Sequence, residues 1–134
     1  MRYRIPKSSG GLASGEAVRA AEPEAQRPLV YICSPFSGDT ETNLENARRY
    51  SRFALDQGCI PITPHLLFPQ FMDDSIPAER DLAMQMNMTL LTKCEELWAF
   101  GDRISEGMSI EITRARQEGK PVRFFSGQGD GVLK

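Results

Sequence analysis

Two loops in this chain combine side chains able to hold an anion with a carboxylate able to attack a carbon centre. The first is Ser34-Pro35-Phe36-Ser37-Gly38-Asp39, set between a short apolar run and a helical stretch. A strand-to-helix junction leaves backbone N–H groups free and carries the positive end of the helix dipole, which favours an anion. Ser34 and Ser37 add hydroxyls, and Gly38 allows a ligand close to the backbone. The spacing is neither that of a Walker loop nor that of a dinucleotide glycine fingerprint. A plain turn in which Asp39 or Thr40 caps the helix accounts for the same residues. The second loop runs from Gly101 to Glu111. Asp102 falls just past an apolar run, and Ser105 as N-cap with Gly107 behind it makes a second anion-friendly helix start. Glu111 lies six residues beyond that cap, beside the inward stripe of Met108 and Ala115. A half-buried carboxylate on a cleft can act as nucleophile or base. It can also simply complement the helix dipole, and Arg114, three residues on, is within ordinary pairing distance.

Four further residues carry chemistry of a weaker kind. His65 sits in a proline-rich loop after a short apolar run, where it can line the same crevice or be a satisfied, partly buried histidine. Asn87 interrupts an apolar helical stripe, which is costly unless its amide is paired, so it is either a core hydrogen bond or a cleft residue. Asp73 and Asp74 read as a solvated loop.

The elements that must position these residues alternate along the chain. LVYIC (29–33), CIPI (59–62), ELWAF (96–100) and VRFF (122–125) are short apolar runs rich in strand formers. A first helix starts at about Thr42, with Thr42 and Glu45 as a capping box; Leu44, Ala47, Ser51, Ala54 and Leu55 share a face, and Gly58 ends it. The segment between Thr63 and Asp74, broken by Pro64 and Pro69, is a packed irregular loop with room for one helical turn. Pro77 opens a second helix with Ala83, Asn87, Leu90, Leu91 and Cys94 inward. Ser105 caps a third, with Met108, Ile112 and Ala115 inward and Gly119 as its stop. Such alternation predicts a parallel α/β sheet of four to five strands with helices on both faces, and ligands at the carboxyl ends of the strands.

Composition narrows the classes of function. The chain has 134 residues, of which 40% are apolar and 25% charged, as in ordinary single domains. A net charge of −2 and the lack of any basic run argue against a nucleic-acid polymer as partner. No apolar run is long enough to cross a membrane, and the N-terminal MRYRIPKSSGGLASG lacks the hydrophobic stretch of a signal peptide. Cys33, Cys59 and Cys94 are far apart among apolar neighbours and His65 is the single histidine, so no zinc spacing exists; the chain reads as cytoplasmic, with reduced thiols. Residues 1–28 hold three Gly, three Pro, three Ser and five Ala without a periodic apolar pattern, and read as a disordered leader. The leader carries five basic and three acidic residues, which leaves eleven basic and fifteen acidic, a net of −4, in the rest. A domain over 29–126 and a flexible tail over 127–134 complete the organisation.

VYICSPFSG, followed by SEGMSIEITRARQEGKPV after the third strand, resembles the nucleoside 2-deoxyribosyltransferase superfamily and the deoxynucleotide N-glycosidases within it. The likeness covers about residues 29–125 and is nearest a branch of phage and bacterial proteins that share a PxxPHLLF-like loop and a helix with ERD at its start. It implies a flavodoxin-like sheet and cleavage or transfer at the bond between base and sugar. Glu111 matches the glutamate that attacks the anomeric carbon. Ser105 occupies a position that is serine where a 5′-phosphate is held and aspartate where a free 5′-hydroxyl is held. The resemblance therefore implies a small nucleoside monophosphate as partner, with no cofactor and no metal. Ser34, Pro35, Phe36, Ser37, Gly38, Ser105, Gly107 and Met108 would surround phosphate or sugar, and His65, Asn87 and Asp102 base or ribose. The family's acid falls on Asn87 when counted back without gaps, or on Asp81 if the helix has gained about two turns. Family members complete their sites with a neighbouring subunit, so a homodimer or larger assembly is expected, with Met84 and Met88 at the contact. The alternative is a nucleotide-binding or accessory module without catalysis.

Overall fold

The computed structural model describes residues 26–127. Four strands alternate with three helices: β1 (Leu29–Cys33), α1 (Thr40–Asp56), β2 (Ile60–Ile62), α2 (Pro77–Lys93), β3 (Glu96–Phe100), α3 (Glu106–Gln117) and β4 (Val122–Phe125). All pairings are parallel, in the order β2-β1-β3-β4. This is a flavodoxin-like sheet. The chain leaves β1 for one side and returns past it to β3, so the strand order reverses between β1 and β3.

The central strand sorts its side chains by alternation. Val30 and Ile32 join Tyr50 and Ala54 of α1, Trp98, Phe100 and Phe125 in one core. Tyr31 and Cys33 point to the other face, with Leu91 of α2 and Met108, Ile112 and Ala115 of α3. The α1 face is an aromatic block in which Phe100 stacks between Tyr50 and Phe125, with ring centres 4.3 and 4.9 Å away. Leu91 is fully buried on the opposite face. Leu91→Ala should cost about 2–5 kcal/mol by chemical denaturation, and a loss below about 1 kcal/mol would contradict this packing.

Several local expectations are corrected. The first helix begins at Thr40, not Thr42, because Asp39 is the cap and its Oδ1 accepts the Thr42 N–H at 3.2 Å. Its buried face is Ala47, Tyr50 and Ala54, with Leu44 and Leu55 only half-buried, since Tyr50 completes the aromatic block. The second strand starts at Ile60, and the proline-broken loop holds two short 3-10 turns, Pro64–Leu66 and Phe68–Gln70. Pro28, assigned to the leader, accepts the Ile60 N–H at 2.8 Å; Gly127, assigned to the tail, accepts from Tyr50 Oη at 3.0 Å. Residues 1–25 of the leader and 128–134 of the tail lie outside the described residues. Met84 lines the cleft described below, and Met88 packs half-buried on the core between α2 and α3.

Candidate active site

A cleft of about 840 Å³ opens at the carboxyl ends of β1 and β3, where the strand order reverses. Its walls are the loop after β1, the proline-rich loop after β2, the first turns of α2 and the start of α3. The size suits a nucleotide-sized ligand.

Glu111 closes the cleft from α3. It is 3% exposed, yet no Lys or Arg among the described residues pairs with it. Arg114 instead pairs with Glu118 at 3.5 Å, and the Arg116 guanidinium lies 5.8 Å from the centre of the Phe124 ring. Neutral donors hold the carboxylate. Tyr31 Oη donates to Oε2 at 2.8 Å, Cys33 Sγ donates to Oε1 at 3.2 Å, and the Asn87 side chain donates as well. Burial pushes the Glu111 carboxyl above the usual carboxylate range, while these three donors pull it back only in part. The folded state therefore keeps this proton where the unfolded chain has lost it. Stability from this group is present below about pH 4.3 and is lost as pH rises through the raised value. Burial and the neighbouring Glu111 push Tyr31 and Cys33 well up, so both stay protonated as donors.

The other anticipated residues divide into two groups. Ser34, Pro35, Phe36, Ser37, His65, Asp81, Asn87, Ser105, Gly107 and Met108 line the cleft with Glu111. His65 Nε2 lies 2.8 Å from the Ser34 carbonyl, which can only accept, so Nε2 carries the proton and a neutral ring leaves Nδ1 as an acceptor. Burial lowers the His65 pKa against the opposing pull of that carbonyl, which favours the neutral ring. Phe36 lies beside it, ring centres 4.9 Å apart. Ser105 Oγ caps α3 by accepting the Met108 N–H at 3.2 Å, which leaves its O–H free to donate into the cleft. Gly38 and Asp102 fall outside the lining. Gly38 is exposed at φ +92°, and a Cβ there would meet nothing within 4 Å, so it is needed for the turn rather than for ligand approach. Asp102 sits beside Gly127, near Tyr50 on the α1 side, because Gly101 at φ +119° turns the chain away from the cleft. Asp81 is exposed on the wall, six residues before Asn87 and so about 9 Å from it along the helix axis.

Sequence reasoning did not single out Tyr31 and Cys33 as holders of Glu111. Their signal was two polar-tipped side chains at i and i+2 in an otherwise aliphatic strand, which share a face by the strand period. Arg103 was also missed. It lines the cleft two residues before Ser105 and makes no hydrogen bond or ion pair among the described residues. Asp73 and Asp74, read as solvated, are exposed and border the mouth. Among the described residues, no group of His, Cys, Asp and Glu is arranged to hold a metal ion, and no helix is long and apolar enough to cross a membrane.

The fold is that of a flavodoxin-like α/β protein with a cleft at the reversal of strand order. The family described as Domain of unknown function (DUF7768) matches residues 28–125, and the chain belongs to it. The 2-deoxyribosyltransferase from Bacillus psychrosaccharolyticus superposes with a TM-score of 0.61 at 19% identity, over 78% of this chain and 77% of that one. A conserved protein from Enterococcus faecalis V583 superposes with a TM-score of 0.52 at 19% identity, over 74% and 63% of the two chains. At such identity the likeness is one of fold. No curated protein matches the chain.

Proposed function

We propose that this protein cleaves or transfers the N-glycosidic bond of a (deoxy)nucleoside 5′-monophosphate, with Glu111 as nucleophile. The observation that carries the reading is a carboxylate 3% exposed on a cleft, held by a hydroxyl, a thiol and an amide and paired with no Lys or Arg among the described residues. A buried carboxylate needed only for stability would be expected to take an arginine or lysine. Here the lone pairs remain nucleophilic. The solved 2-deoxyribosyltransferase, whose fold this chain shares, supports the same class of chemistry.

In this mechanism a Glu111 oxygen attacks the anomeric carbon as the bond to the base breaks. The electron pair leaves on the base nitrogen, giving a glycosyl ester of Glu111. Water or a second base then attacks the same carbon and frees the carboxylate. Asn87 beside Glu111 binds but cannot protonate; Asp81, on the cleft wall, is the acid assigned to the departing base. Phosphate is held by the Ser105 hydroxyl, the start of α3, Arg103 and the Ser34–Ser37 loop. A homodimer or larger remains the expected assembly; a monomer by light scattering at micromolar concentration would refute it.

Incubation with a panel of ribo- and deoxyribonucleoside monophosphates should release free base, read by chromatography. A second reading, a nucleotide-binding module without turnover, is favoured by Asn87 standing where an acid would serve the leaving base. Binding without release from any nucleotide would decide for it.

The pH profile offers a separate check. Glu111 must be ionised to attack, and its pKa is raised, so kcat/KM should climb with pH through a midpoint above the ordinary glutamate value of about 4.3. Tyr31→Phe removes a donor that favours the ionised form, so that midpoint should move further up. An unmoved acid limb would detach Tyr31 from the nucleophile.

A further inference from the structure

Three buried side-chain polar atoms lack a hydrogen-bond partner among the described residues, and two of them belong to residues of this cleft: the Ser34 hydroxyl and the Asn87 amide oxygen. Asn87 is 7% exposed. Its side chain lies beside Glu111, whose ionised carboxylate can only accept, so its NH2 end faces the carboxylate and its oxygen is left without a donor on a residue that lines the cleft. A buried amide oxygen without a donor is costly, and a ligand that brings one recovers that cost. The missing group is therefore a hydrogen-bond donor that arrives next to the carboxylate.

We propose that Asn87 recognises the 2′-hydroxyl of a ribonucleotide and so selects against 2′-deoxyribose. The inference rests on the glycosidic reading above. Displacement at the anomeric carbon needs Glu111 on the sugar face opposite the base, with the reacting atoms about 3–3.5 Å apart. In a β-nucleotide that face carries the 2′-hydroxyl of ribose, one bond from the carbon under attack. An amide tied to the same carboxylate through its nitrogen holds its oxygen beside that hydroxyl. A base amino group lies on the far face of the sugar, away from Glu111. Hydrogen bonds to the hydroxyl next to the anomeric centre also strengthen as the oxocarbenium-like transition state develops. A 2′-deoxyribose brings only C–H to the same place and leaves the oxygen unpaired.

The test is calorimetric binding of adenosine and uridine 5′-monophosphates in ribo, 2′-deoxy, 2′-O-methyl and arabino forms to the wild-type chain. For both bases, ribo should bind at least about tenfold tighter than deoxy, the ratio expected for leaving one buried acceptor unpaired. The 2′-O-methyl form, which keeps the oxygen but loses the donor, and the arabino form, which places it on the other face, should both lose the advantage. Asn87→Ala should bring ribo and deoxy to near parity; its thermal midpoint reports whether it folds, and the wild-type comparison stands without it. Equal or tighter binding of the deoxy forms by wild type would overturn this proposal and leave the glycosidic reading intact. Equal binding of ribo and deoxy forms, with adenine tighter than uracil in both, would assign the donor to the base and overturn it as well. Failure of every nucleotide to bind would overturn the glycosidic reading, and this proposal with it.

Discussion

Glu111→Gln should abolish turnover, by several orders of magnitude, while nucleotide affinity stays within a few fold of wild type. Glutamine keeps the length and shape of the side chain and one acceptor oxygen, and its NH2 can donate to whichever of the Tyr31 hydroxyl and the Cys33 sulfur loses its acceptor. It cannot form the glycosyl ester. The stability readout separates this from a structural role. Burial raises the Glu111 pKa, so at neutral pH the folded state carries a carboxylate that it would rather protonate. A neutral amide removes that cost, and the thermal midpoint should hold or rise. Base release by chromatography, calorimetry and a melting curve on the same preparation check the three parts. Retained turnover would reduce Glu111 to a structural acid.

Ser105→Asp should reverse the preference for phosphorylated ligands. Aspartate is as good an N-cap as serine, and its charge suits the start of a helix, so α3 should form unchanged. The same charge faces an incoming phosphate and removes a hydroxyl donor from it. Monophosphate affinity should fall by about ten- to a hundredfold, the worth of a charge-assisted hydrogen bond. Affinity for the matching nucleoside should stay level or improve, since a free 5′-hydroxyl can donate to the new carboxylate. Calorimetry with one monophosphate and its nucleoside, on wild type and variant, is sufficient. If wild type binds the two equally, the phosphate assignment of Ser105 fails before the variant is made.

How much of this could be read from residues alone depended on the range of the interaction. Strands β1, β3 and β4 were legible because LVYIC, ELWAF and VRFF are compact apolar runs bounded by turn residues. The α3 cap was legible because Ser105 and the Met108 N–H it accepts are three residues apart. The holders of Glu111 were not, since Tyr31 and Cys33 lie 80 and 78 residues away and meet it only through the pairing of β1 with β3. Asp102 misled for a local reason: a residue just past a strand end faces the crevice unless the backbone turns, and Gly101 turns it. Asp39 displaced the Thr42–Glu45 capping box because it reaches the Thr42 N–H one turn earlier. Met88 lies off the inner stripe by helical periodicity, yet packs half-buried on the core because α3 lies alongside α2.

The alternation of β1 also bears on how the sheet finds its alignment. Pairing partners in a parallel sheet can shift by one residue, which exchanges the two faces of the moved strand. Shifted that way, β1 would present Val30 and Ile32 to Glu111 and push the Tyr31 hydroxyl into the aromatic block beside Trp98 and Phe100. A buried carboxylate that lost the Tyr31 and Cys33 donors would cost on the order of a few kcal/mol, and a stranded phenol would add to it. An aliphatic strand of five residues has little else to penalise the error. The buried acid therefore proofreads the position of the strand that holds it, and the misaligned sheet is rejected by a carboxylate that also faces the cleft.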